Sequence, residues 1–242
     1  MLSAVYSLSR ILVDVLFPRI CCGCNERILA EQRIVCEACE RKLRPLREPL
    51  CPRCGLENSP AAAGGKCPSC PRGEIFFVSV RAVTPYAGVA CHILEKFKYR
   101  ARAEYADFIA SLMAQIFKKQ FIGIAFDCII PVPLHHTRRR ERGYNQSALL
   151  ARHLGRDLSI PVHEHSLRRV RPTPSQTRLS RQERRENVEG AFATRGDVGG
   201  KTILLVDDVY TTGATLNECA RVLRNSGAEY VYGLCFCRAE LD

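Results

Sequence analysis

The stretch KTILLVDDVYTTGATL, from Lys201 to Leu216, carries two adjacent carboxylates followed by a run of hydroxyls around a glycine. Amides at the start of a helix point outward without partners. Gly213 lets the chain approach closely, so that Thr211, Thr212, Gly213, Ala214 and Thr215 can wrap a phosphate with amides and hydroxyls. Asp207 and Asp208 come one step before that cradle. Acceptor-only carboxylates there can hold hydroxyl groups a sugar's length from the phosphate, directly or through magnesium-bound water. The pattern reads as a ribose 5-phosphate site. A P-loop would need G-x-x-x-x-G-K-[ST]. Gly200-Lys201-Thr202 supplies only its end, Arg195 stands where the first glycine belongs, and the segment precedes its strand. An acidic strand end with a threonine helix cap would need only one of these hydroxyls.

A second chemistry resides in the cysteines, of which the chain has 14. Eight form four C-x-x-C pairs: Cys21/Cys24, Cys36/Cys39, Cys51/Cys54 and Cys67/Cys70. A C-x-x-C turn presents two thiolates on one side of a knuckle, and two knuckles close a tetrahedral zinc site. Four knuckles in sequence predict two ribbons with one structural zinc each. Sequential pairing puts Cys21, Cys24, Cys36 and Cys39 on one ion, and Cys51, Cys54, Cys67 and Cys70 on the other. An interleaved cross-brace is the other closure, and spacing does not choose between them. Cys22 would replace Cys21 only through a shortened C-x-C bite. With four protein ligands and no open position, such sites fold a module rather than catalyse.

The elements that must position these groups divide the chain. Residues 21–74 are rich in charges, proline and glycine and have no long apolar run, so this region needs its metals to fold. From Ile75 the texture changes to alternating apolar strands and amphipathic helices. Strands are predicted near Phe76–Val83, Phe126–Val132, Thr202–Asp207 and Glu229–Phe236. Helices are predicted near Val89–Lys98, Tyr105–Lys119, Tyr144–Arg156 and Gly213–Asn225. That order builds an α/β domain over residues 75–242, a parallel sheet with ligands at the strands' C-terminal ends. Residues 1–20 carry a helical apolar stripe (Leu2, Val5, Leu8, Leu12, Val15), which predicts a helix docked on the protein rather than on lipid.

Composition excludes disorder: 46% of the 242 residues are hydrophobic and 25% charged. No apolar run approaches the roughly 18 to 20 residues that span a bilayer, and no signal-peptide pattern opens the chain, so a cytoplasmic protein with reduced thiols is expected. The formal charge of +11 favours anionic partners, and between Ile130 and Arg185 thirteen Lys/Arg face four Asp/Glu. The histidines, His135, His136, His153, His163 and His165 among them, match no metal-ligand spacing.

VDDVYTTGAT resembles the phosphoribosyl-pyrophosphate motif of type I phosphoribosyltransferases. The whole chain resembles the ComF family of competence-associated, phosphoribosyltransferase-like proteins with an N-terminal double zinc ribbon. The knuckles, PVPLHHTRRRERGYNQ from Pro131, TPSQTRLSRQERRENVEGAF from Thr173 and the ribose-phosphate loop carry that resemblance. Cys24 is followed by Asn25 where a knuckle often has glycine, and asparagine also tolerates a left-handed turn. The resemblance implies magnesium-dependent binding of phosphoribosyl pyrophosphate. Asp207 and Asp208 would hold the ribose, while Arg138 and Arg142 would serve as charged donors to pyrophosphate, with Arg138 among the catalytic groups. It also implies a mobile hood in which Gln176, Arg181, Arg184 and Arg185 close over the sugar and exclude water. A role in DNA uptake follows, with single-stranded DNA and competence-machinery proteins as partners and the inner membrane face as a station. The alternative is a non-catalytic single-stranded-DNA-binding protein that reuses the fold. Against it, Tyr144 is the only aromatic between Ile130 and Arg185, and the chain has no Trp to stack on bases.

Overall fold

The computed structural model describes residues 19–28, 34–65, 67–71, 73–99, 103–135, 137, 140–141, 143–171 and 181–239. In chain order these form α1 (Glu37–Lys42), β1 (Val80–Pro85), α2 (Val89–Tyr99), α3 (Ala103–Gln120), β2 (Cys128–Pro131) and α4 (Gln146–Leu158). There follow β3 (Leu167–Arg169), α5 (Arg181–Val188), β4 (Phe192–Thr194), β5 (Thr202–Tyr210), α6 (Ala214–Asn225) and β6 (Tyr230–Arg238). The predicted N-terminal docking helix falls almost wholly outside the described residues. Among the described residues, no helix is long and apolar enough to cross a membrane.

Four strands make one parallel sheet in the order β1-β6-β5-β2, and β3 pairs with β4 in a separate antiparallel ribbon. The continuous apolar run of β5 follows from burial on both faces, since successive side chains point to opposite sides. Leu204 and Val206 face α2, α3 and α4, where Phe97, Ile109, Met113, Leu150 and Leu154 complete one core. Ile203 and Leu205 face α6, where Leu216, Cys219, Ala220 and Leu223 complete the other. Both cores are fully buried at the strand positions. Cysteines outside the knuckles act here as small apolar fillers: Cys128, Cys219 and Cys235 lie within the second core, and burial pushes the Cys128 thiol up to about 11.

The N-terminal region is an internal repeat. In its first copy Ile20 bridges Arg27, Cys21 N donates to Glu26 O at 2.8 Å and Asn25 N to Cys21 O at 2.9 Å. In the second, Leu50 bridges Glu57, Cys51 N donates to Leu56 O at 2.7 Å and Gly55 N to Cys51 O at 3.0 Å. Asn25 and Gly55 both take the left-handed conformation that closes the knuckle, at φ 63° and 66°. The two copies part company in their packing. Cys21, Cys22, Ile28, Val35 and Cys39 join the core under α2 and α3, whereas Cys51 and Cys54 join the core under α6, on the opposite face of the sheet.

The second copy also closes the sheet's edge. Val80 N donates to Arg53 O at 2.7 Å and Leu46 N donates to Val83 O at 3.2 Å, so the outer side of β1 is capped by ribbon backbone. β1 starts at Val80 rather than near Phe76 because residues 74–76 are held elsewhere. Asn217 of α6 accepts from Phe76 N at 2.9 Å and donates to Glu74 O at 3.0 Å, which pins this linker across the helix. At the other end β5 runs past Asp207 to Tyr210, so both carboxylates belong to the strand itself.

Candidate functional site

Asp207 and Asp208 stand at the C-terminal end of the central strand pair, where parallel sheets place their ligands. Asp207 Oδ1 accepts from Ser147 Oγ and from the Asp208 amide, each at 2.9 Å. These bonds turn one oxygen inward. Burial, and next the charge of Asp208, push the Asp207 carboxyl up to about 7 against the lowering effect of those two hydrogen bonds. Asp208 faces Lys98 at the end of α2, with Nζ 3.7 Å from Oδ2. Sequence patterns assign neither Ser147 nor Lys98 to the site. Both arrive through the Tyr144-Asn145-Gln146-Ser147 turn. Tyr144 packs on Phe97 at 6.1 Å between ring centroids, and Asn145 caps α4 while donating to Val132 O at 3.1 Å. The buried Gln146 donates to Lys98 O at 3.5 Å. An N-capping Asn after a glycine signals the helix start, but nothing local to it tells which strand its neighbour Ser147 will reach.

The phosphate loop is short: Thr211, Thr212 and Gly213 join β5 to α6, with Ala214 and Thr215 in the first turn of the helix. Gly213 caps α6 at φ 77° with no side-chain cap bond, and Thr212 Oγ1 accepts from Ala214 N at 3.3 Å. A Cβ on Gly213 would run into the Tyr210 ring and lie 3.0 Å from Pro71 Cγ. The glycine is therefore required by its left-handed backbone and by the squeeze between strand and ribbon, a stronger demand than close approach to a ligand. The helix start that it opens turns the positive end of its dipole toward the loop, as anion sites do.

Beside this loop lies a cavity of about 540 Å³, walled by Cys70 and Pro71 of the second ribbon, by Thr212 and Ala214, and by Arg185 of α5. The polar stretch expected as a mobile hood is thus, over 181–188, a helix packed against α6. Arg181 begins it, Arg184 is half-buried, and the Arg185 guanidinium lies over Gly73 in the linker after the second ribbon. Arg185 shares its cavity with Thr212 and Ala214, and neither carboxylate lines it. Arg138, Arg142 and Gln176 lie outside the described residues. His135 is buried and turns Nδ1 to Thr137 Oγ1 at 3.1 Å.

The thiols gather sequentially. Cys21, Cys24, Cys36 and Cys39 form one group and Cys51, Cys54, Cys67 and Cys70 another, with all ligand atoms of each group within 4.8 Å of one another. The Sγ separations of 3.8 Å for Cys24/Cys36, 3.7 Å for Cys51/Cys70 and 3.5 Å for Cys54/Cys67 suit a tetrahedral ion. Thiolates about 2.3 Å from zinc would lie about 3.8 Å apart. Cys22, next to Cys21 in sequence, belongs to the hydrophobic core instead. Backbone amides of Gly23 and Cys36 point at Cys21 Sγ, at 3.4 and 3.3 Å, as they do at bound thiolates.

The model of the double zinc ribbon domain matches residues 12–71, and that of the phosphoribosyl transferase domain matches residues 101–240. Over 225 residues the chain is 35% identical to DNA utilization protein YhgH of Salmonella typhi, covering 91% of this chain and 97% of that one. It is 31% identical to Competence protein F of Haemophilus influenzae, over 88% of this chain and 95% of that one. The chain belongs to the ComF family. Competence protein ComFC of Bacillus subtilis is a further relative, 33% identical over 83% of this chain and 82% of its own length. A ComF protein accordingly joins two closed four-cysteine ribbons of the structural-zinc kind to a parallel-sheet phosphoribosyltransferase domain.

Proposed function

We propose that this ComF protein binds phosphoribosyl pyrophosphate at the end of β5 and acts as a phosphoribosyltransferase, in the handling of DNA that the names of its relatives indicate. The observation that carries this reading is the juxtaposition of the Asp207/Asp208 pair with a helix start reached through Thr211, Thr212 and Gly213. A ribose 5-phosphate has that polarity, with hydroxyls at one end and a dianion at the other. Ser147 would hold Asp207 so that its second oxygen meets a ribose hydroxyl, and Lys98 would orient Asp208 beside it. The loop amides and threonine hydroxyls would hold the 5-phosphate. Magnesium, carried by the pyrophosphate and met by the carboxylates directly or through water, would neutralise leaving-group charge. Arg138 and Arg142 would add permanent, bidentate donors to pyrophosphate, and Gln176, Arg181, Arg184 and Arg185 would screen the sugar from water. Catalysis would be positioning and charge neutralisation.

Calorimetric titration of the zinc-loaded protein with magnesium and phosphoribosyl pyrophosphate tests this, beside the Asp207→Asn/Asp208→Asn variant. The expected result is binding by the wild type alone. No binding at millimolar ligand, together with salt-sensitive binding of single-stranded DNA, would transfer the function to a DNA-binding protein that reuses the fold.

A further inference from the structure

Arg238, the last residue of β6, is 1% exposed. A guanidinium taken out of water needs a counter-charge as well as hydrogen bonds. Among the described residues no carboxylate pairs with it. Its Nη2 instead points at Cys54 Sγ, 3.5 Å away, in the second cysteine group. Its Nη1 donates to Thr211 O at 3.0 Å and to Ala239 O at 2.9 Å, and its face lies on the Tyr210 ring, 4.4 Å from the centroid. Tyr210 is in turn the floor under Gly213. One buried side chain therefore touches a metal-ligating sulfur, the first residue of the phosphate loop and the ring that supports the loop's glycine. A zinc ion with four thiolates is a net dianion, which supplies the charge that Arg238 otherwise lacks.

We propose that Arg238 is a positioning residue that couples the second zinc site to the phosphate loop: metal held by Cys51, Cys54, Cys67 and Cys70 anchors the guanidinium, and the guanidinium fixes Thr211 and Gly213 in their phosphate-binding form. The first zinc site has no such link among the described residues, since its cysteines pack under α2 on the other face of the sheet. Coupling of this kind is reciprocal. A sugar phosphate seated on the loop slows loss of the second zinc and leaves the first unaffected. That ligand half of the proposal rests on the sugar-phosphate reading above, while the loop-ordering half does not.

The test is amide hydrogen exchange over 209–216 in the full-length, zinc-loaded protein, with metal content measured in parallel. Exchange there should speed up about tenfold, a typical coupling, in Arg238→Met and in Cys67→Ser, which gives up the second metal. Cys36→Ser, which gives up the first, should leave the segment unchanged, and Arg238→Met added to Cys67→Ser should do little more than either alone. Amides of β2 report whether each variant is folded. Should Arg238→Met fail to fold, Arg238→Lys keeps the charge but cannot serve Cys54 and Thr211 at once, and should show the same pattern at lower amplitude. Equal exchange in wild type and Arg238 variants, or fully additive effects of Arg238→Met and Cys67→Ser, would overturn the coupling. Ribose 5-phosphate should also slow transfer of one of the two zinc ions to a chelator in wild type, and slow it less in Arg238→Lys. Protection of both ions alike would overturn the proposal. If calorimetry finds no ribose 5-phosphate binding to wild type, the sugar-phosphate reading falls, and the exchange pattern still decides the role of Arg238.

Discussion

The two ribbons are built alike and used differently. Each closes its knuckle with the same amide bonds and a left-handed residue, yet the first packs into the core under α2 and α3, and the second into the core under α6, where it also meets the phosphate loop. His92 Nδ1 lies 3.0 Å from Gly23 O and Lys96 donates to Asn25 Oδ1 at 3.1 Å, both exposed contacts along α2. The second ribbon presses Pro71 on Gly213, Arg53 on the β1 edge and Cys54 on Arg238. A repeat whose copies dock on opposite faces of one sheet can thus give one copy a seat on a flanking helix and the other a seat on the ligand loop.

The largest test of that contrast is metal loss. Cys21→Ser and Cys51→Ser should each give up one zinc, a binding free energy on the order of 10 kcal/mol. The drop in melting temperature should be greater for Cys51→Ser, because its ribbon also caps the β1 edge and faces the buried Arg238. Equal drops would erase the distinction.

The carboxylate pair meets α2, the helix under which the first ribbon packs, through Lys98. A folded-state value near 7 for Asp207 lies above the roughly 3.9 of an unfolded aspartate. Its contribution to stability is therefore present below about pH 4 and lost as pH rises through 7. Asp207→Asn should melt above wild type at pH 8 and show no such gain at pH 4, while losing the sugar phosphate. A variant no more stable than wild type at pH 8 would show that the native site stores no strain there.

Exchanging the knuckle residues is a sharper, smaller test. A Cβ on Gly55 would come 2.7 Å from Val80 O, whereas Asn25 holds the same turn with its side chain exposed. Gly55→Asn should cost about 1–3 kcal/mol in denaturant unfolding, and Asn25→Gly should cost less than about 1 kcal/mol. Comparable costs would mean that the β1 edge can yield. Smallest of all, Lys96→Ala should change stability by no more than about 0.5 kcal/mol, as an exposed contact does.

The parts of the fold legible in the sequence are those written in local patterns. Four C-x-x-C pairs set the ribbons, and the apolar run to Asp207 followed by T-T-G-A-T set the strand, loop and helix start. What was hidden lies in contacts between distant positions. Ser147 reaches Asp207 across 60 residues and Arg238 reaches Cys54 across 184, with no spacing rule to announce either. The helix α5 lies inside the stretch expected as a mobile hood, because RQERRENV has no apolar stripe to announce a helix; Val188 is its buried contact with the domain. The short β3 and β4 pair escaped for the same reason. Three-residue strands carry too little alternation to separate from a turn.

The backbone of residues 46 and 53 that caps β1 has a meaning for chains in company. An uncovered edge strand in a parallel sheet is a template on which another chain can add, and the apolar sequence of β1, VRAVTP, offers little charge to prevent it. A molecule that gives up its second metal lets go of this cover as well. Loss of the second metal would then open the edge of β1 to another copy of the chain as well as disturb the ligand loop.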